Sequence, residues 1–169
     1  MRCAPRLLSV AAAAVVVVST ATACSGGSAD DASTSEAALS RWSSLMGTAL
    51  LDEEHGQGGA GGEGAGGAGL GSVPAGAWDL LVACNGADGW SFRVESGPDG
   101  GDTLARSDVP CGATERLSVT VPESGGLTVR AHPLRTAPEA VRRGDVPVHW
   151  YVAVVPEGFE PESRSYGLG

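Results

Sequence analysis

From Trp90 to Glu95 the chain alternates strictly, with Trp90, Phe92 and Val94 apolar and Ser91, Arg93 and Glu95 polar. A two-residue period of this kind belongs to a β-strand with one buried face, because successive side chains point to opposite sides of the pleat. The pattern recurs at Trp78, Leu80, Val82 and Cys84, at Leu117, Val119 and Val121, and at Leu127, Val129 and Ala131. Val148 to Val155 is apolar on both faces, which suits a central or doubly covered strand, and Thr103 to Arg106 reads as a weak edge strand. Gly, Pro, Asn and Asp break these runs; Asn85 to Gly89 and Pro122 to Gly126 are the clearest turns, the second read as a hairpin. One helical turn, Pro138 to Arg143, precedes the last strand. The expectation is mainly β: a small antiparallel β-sandwich of five to six strands over residues 73–158.

The other end of the chain carries an address. Arg2 and Arg6 precede the apolar run Leu7 to Val18, and small residues then lead through Ala21, Thr22 and Ala23 to Cys24. The run is too short to span a bilayer, which needs roughly 20 apolar residues, and reads as a secretory signal peptide over residues 1–23. Here the chain resembles bacterial lipoproteins, in which a cysteine at this place is acylated and becomes the new N-terminus. The resemblance implies lipidation of Cys24 and a membrane anchor on the outer face of the cell membrane. The family usually has a branched aliphatic residue three positions before the cysteine, where this chain has Ala21. Ala21-Thr22-Ala23 also reads as an ordinary cleavage site, which would give a secreted protein with a free thiol at Cys24.

Cysteine arithmetic favours the anchor. Cys3 leaves with the signal peptide, and Cys24, Cys84 and Cys111 remain. If Cys84 pairs with Cys111, lipidation uses the odd one. That bridge closes a loop of 28 residues, worth about 3 to 4 kcal/mol on the chain-entropy model. A domain of about 85 residues buries only a modest core, and an exported protein meets an oxidising compartment where such a bond persists.

Between anchor and domain the texture changes twice. Residues 24–35 are rich in Ser, Ala, Thr and Asp and read as a disordered tether. Leu39, Trp42, Leu45, Met46, Ala49 and Leu50 recur at helical spacing, giving an amphipathic helix over 36–54. Ser33 and Glu36 suit a capping box at its start, and Asp52, Glu53 and Glu54 oppose the helix dipole at its end, so it should fray beyond Leu51. Ten glycines in the 16 residues from Gly56 to Gly71 read as a flexible linker, residues 55–72. Residues 159–169 form a C-terminal tail.

Little in the sequence points to chemistry. His55, His132 and His149 are isolated from one another and from the cysteines, and no metal or cofactor is expected. Asp99 and Asp102 bracket a turn but lack the ligand pattern of a calcium loop. No serine stands in a nucleophile elbow, and Cys84 and Cys111 lack redox spacing, so no catalytic residue is expected. The net charge of −9 falls to −11 when Arg2 and Arg6 leave with the signal peptide, and this argues against nucleic acid. Trp150 and Tyr151 point to opposite faces of one strand and are the candidate contact surface, Tyr151 the better of the two.

The motifs Val73-Pro74-Ala75-Gly76-Ala77-Trp78, Cys84-Asn85-Gly86 and Cys111-Gly112 resemble the β-sandwich domains of small uncharacterised actinobacterial lipoproteins. Trp78 stands where that family usually has tyrosine. Eleven arginines and no lysine fit the same origin. The resemblance implies a fold more than an activity. The expected function is a lipid-anchored extracytoplasmic interaction module for an envelope protein or glycan. A solute- or glycan-binding lipoprotein is the alternative and a hydrolase the third reading.

Overall fold

The computed structural model describes residues 29–161, apart from positions 53, 72, 123 and 124, and only the backbone of 29–33. The signal peptide, Cys24, the first part of the tether and residues 162–169 of the tail lie outside the described residues. A helix, α1 (Ala29–Leu50), precedes eight strands: β1 (Gln57–Gly62), β2 (Gly66–Leu70), β3 (Gly76–Asn85), β4 (Gly89–Ser96), β5 (Thr103–Pro110), β6 (Thr114–Val121), β7 (Leu127–Pro133) and β8 (His149–Pro156). A short helix, α2 (Glu139–Arg143), joins β7 to β8. The strands form two four-stranded antiparallel sheets, β1-β8-β3-β6 and β2-β7-β4-β5.

The sandwich class expected from the alternation is therefore present, with eight strands in place of five or six. The two extra strands lie in the glycine-rich segment, which is not a linker. β1 pairs with β8 and β2 with β7, so this segment supplies one edge strand to each sheet. The physical reason is room for aromatic rings. A Cβ on Gly61 would lie 2.3 Å from Cζ2 of Trp150, and one on Gly66 3.2 Å from the same atom. On the other face a Cβ on Gly58 would lie 2.3 Å from the Tyr151 hydroxyl. Glycine lets the backbone lie directly against both rings, and that contact offsets the entropy of ordering the segment. The sheet-to-sheet turn at Glu63-Gly64-Ala65 has positive φ at Glu63 (44°) and Gly64 (78°).

Two further expectations change. α1 begins at Ala29, so residues 29–35 are helical, not tether, and Ser33 lies inside the helix instead of capping it. Pro122 to Gly126 is no hairpin within a sheet, since β6 and β7 belong to different sheets. Positions 123 and 124 lie outside the described residues. Among consecutive strands only β4 and β5 pair with each other. β5 extends to Pro110 and buries Val109.

The core lies between the sheets. Leu80, Val82, Val119, Val121, Trp150, Val152 and Val154 face Leu70, Trp90, Phe92, Val94, Val109, Leu127, Val129 and Ala131. Phe92 meets Trp150 edge to face, with ring centroids 6.4 Å apart. Cys84 at the end of β3 is bonded to Cys111 after β5, tying the first sheet to the edge of the second. A second apolar layer lies outside the first sheet, where Trp42, Met46 and Leu50 of α1 cover Leu81, Ala83, Tyr151, Ala153 and Val155. Beside it Asp79 is almost fully buried. It accepts hydrogen bonds from Arg116, Ser118 (2.8 Å) and the Gly158 amide (2.8 Å), which hold the end of β8 in place.

Candidate interaction surfaces

The two outer faces of the sandwich differ. α1 covers the β1–β8 side of the first sheet, so the outward side of β8, which carries Tyr151, is interior, while β6 leaves Arg116, Ser118 and Thr120 exposed. Trp150 is 1% exposed in the main core and Tyr151 3% exposed beneath α1. Neither belongs to a contact surface. They do point to opposite faces as their spacing requires, but both faces of β8 are covered. Burial pushes the Tyr151 phenol above its ordinary pKa of 10.0. Cys84 and Cys111, expected as a pair, are the disulfide.

Where α1 crosses the β3–β8 end of the first sheet, Ala38, Arg41, Trp42, Leu45, Asn85 and His149 line a small apolar pit of about 300 Å³. Leu45 shares the helical spacing of the buried stripe yet is 45% exposed at its rim. Asn85 Oδ1 accepts the His149 amide at 3.2 Å and lies 3.2 Å from His149 Nδ1. The Trp42 ring lies 6.4 Å from the imidazole. Burial holds His149 below the usual histidine pKa of 6.5, against an opposing pull from Glu63. His149 thus packs and hydrogen-bonds, as its strand position suggests.

Among the described residues no helix covers the outward face of the second sheet. Its outward residues are polar, and the strand register sets three arginines in one row: Arg93 of β4 lies opposite Arg106 of β5 on one side and Arg130 of β7 on the other. Like charges directly opposite one another across strands repel. Glu95, buried at the base of the row, offsets part of this. Its carboxylate lies 3.4 Å from Arg93 Nη1 and 3.3 Å from Arg130 Nε. Among the described residues no carboxylate pairs with Arg106 or with Arg135. Arg93, Arg106 and Arg135 line an open groove of about 920 Å³ together with Ser91, Asp108 and His132.

Sequence reasoning missed this groove. Arg93 read as a polar-face residue and Arg106 as the end of a weak edge strand, and the strand order sets them beside Arg130. Among the described residues no serine or cysteine hydrogen-bonds a histidine, no group of three or more His, Cys, Asp or Glu converges, and no helix is long and apolar enough to cross a membrane. The arrangement suits binding by charge and hydrogen bonds.

No protein-family model and no curated protein matches the chain. Among solved structures it is similar to Aeromonas hydrophila PliG, a periplasmic lysozyme inhibitor of g-type lysozyme. The likeness has 20% identity and a TM-score of 0.40, and covers 60% of this chain and 87% of that one.

Proposed function

We propose that this chain is a lipid-anchored extracytoplasmic interaction module, held to the outer face of the membrane through Cys24, that presents the second sheet to a partner. The observation that carries the reading is the asymmetry of the sandwich: a helix covers the β1–β8 side of one outer face, and the other, which no helix covers among the described residues, is polar and arginine-lined. A protein built only for stability has no use for a row of opposed like charges. The larger depression is a groove on the outer surface, a shape for a macromolecule more than for an enclosed solute. The signal and its cysteine supply the anchor, and no catalytic step is part of the reading.

The anchor is tested by intact mass and membrane partitioning of the mature protein from an actinobacterial host. An acylated Cys24, absent in Cys24→Ala, supports it; an unmodified chain in the medium refutes it. The module is tested by placing a photo-crosslinking p-benzoylphenylalanine at Thr136, exposed in the groove, or at Leu45 on α1. Adducts formed on intact cells from Thr136 and not from Leu45 support a partner on the second sheet. Adducts from neither position refute the module.

A further inference from the structure

We infer that the groove over β4, β5 and β7 takes the carboxylate side chains of an acidic protein segment. This deepens the proposed module by naming its partner's chemistry, and it rests on that reading. The first ground is charge. The whole chain carries −9, yet this groove is lined by Arg93, Arg106 and Arg135 against one acid, Asp108, with Arg130 beside Arg93 and Glu95 between those two. Positive charge is thus concentrated on one face of an acidic molecule, which orients an acidic partner toward that face and repels it from the rest.

The second ground is the unbalanced row. The Glu95 carboxylate is shared between Arg93 and Arg130, which leaves Arg106 as the third member without a carboxylate, and Arg135 is likewise without one. A guanidinium presents planar paired donors that match a carboxylate, so two acidic side chains entering the groove would relieve the repulsion and gain charge-assisted hydrogen bonds. The third ground concerns what the groove lacks. No Trp, Tyr or Phe is among its lining residues, so it lacks the broad ring on which a sugar face stacks, and this favours a protein over a glycan. Ser91, His132 and Thr136 add hydrogen-bonding groups along its wall.

The experiment uses the full chain in intact cells with p-benzoylphenylalanine at Thr136. The charge variant is Arg106→Gln with Arg135→Gln; both residues are exposed and unpaired, so folding is unaffected. Arg41→Gln with Arg143→Gln changes the net charge equally but outside the groove. The expected result is a protein adduct whose crosslinked peptide, sequenced by mass spectrometry, carries at least two Asp or Glu. Its yield should fall roughly 3- to 30-fold in the groove variant and hold in the control. An undiminished yield in the groove variant, an equal fall in both variants, a crosslinked peptide without acids, or an adduct on glycan overturns the inference while leaving the module standing. Absence of any adduct from either face overturns the module itself.

Discussion

Replacing Gly61 by alanine tests the least expected part of this fold. The new Cβ would lie 2.3 Å from Trp150 Cζ2 and 2.6 Å from Cε2, and Trp150 is locked in the core at 1% exposure. Overpacking of a filled core costs about 1 to 3 kcal/mol. Alanine returns about 0.5 to 1 kcal/mol, because it restricts the unfolded chain more than glycine does. The net expectation is a loss of up to about 2.5 kcal/mol, centred near 1, or a fall of up to roughly 10 °C in Tm for a fold of this size. Gly69→Ala is the internal control: it lies in the same glycine-rich segment, and its Cβ would meet nothing within 4 Å. It should leave Tm unchanged or raise it slightly. Circular dichroism melts and urea titrations of both variants, repeated in a Trp150→Phe background, complete a cycle. With the indole gone, Gly61→Ala should recover about 1 kcal/mol. If the two glycine variants agree to within about 0.5 kcal/mol, β1 is not packed against Trp150 and the segment behaves as a linker.

Three further outcomes follow from the same structure. Replacing Cys84 and Cys111 with alanine should cost about 3 to 4 kcal/mol in urea titration, and reductant should lower the wild type to the same midpoint. Burial pushes the Asp79 pKa up, but the Gly158 amide, the Ser118 hydroxyl and the Arg116 guanidinium outweigh it and hold the carboxyl below 3.8. Its contribution is therefore whole above pH 3.8 and drains away as pH falls below that value. Asp79→Asn should cost on the order of 3 kcal/mol at pH 7 and flatten the acid limb of a Tm–pH profile. His149 is depressed below 6.5 by burial, so the unfolded chain takes its proton first and stability declines as pH drops below 6.5. His149→Gln should remove that slope, read from melts between pH 7.5 and 5.

Much of the sandwich was legible because alternation reports a half-buried strand directly. Trp90–Phe92–Val94 and Leu127–Val129–Ala131 lie together in the core as their spacing requires. The two glycine strands were illegible for a physical reason: their pattern is carried by the size of Trp150 and Tyr151, some 90 residues away, and glycine has no side chain to show it. The start of α1 was missed because Ser33 and Glu36 mimic a cap inside a longer helix. Tyr151 is more instructive. The apolar run from Val148 to Val155 already implied a strand covered on both sides, and that should have ruled out a surface tyrosine. The arginine row needed the register of three strands, two of them distant in sequence, and no local pattern contains it.

A shortened chain beginning at Val73, where the strand pattern first becomes obvious to the eye, would be a poor experimental object. It would lack an edge strand from each sheet, leaving the backbones of β7 and β8 open along one side and Trp150 without its glycine floor. It would also lack α1, baring Leu81, Ala83, Tyr151, Ala153 and Val155 on the opposite surface. Open strand edges beside fresh apolar surface favour self-association. The compositionally simplest stretch of the protein is thus one that keeps these strand edges covered, and it belongs inside any recombinant boundary.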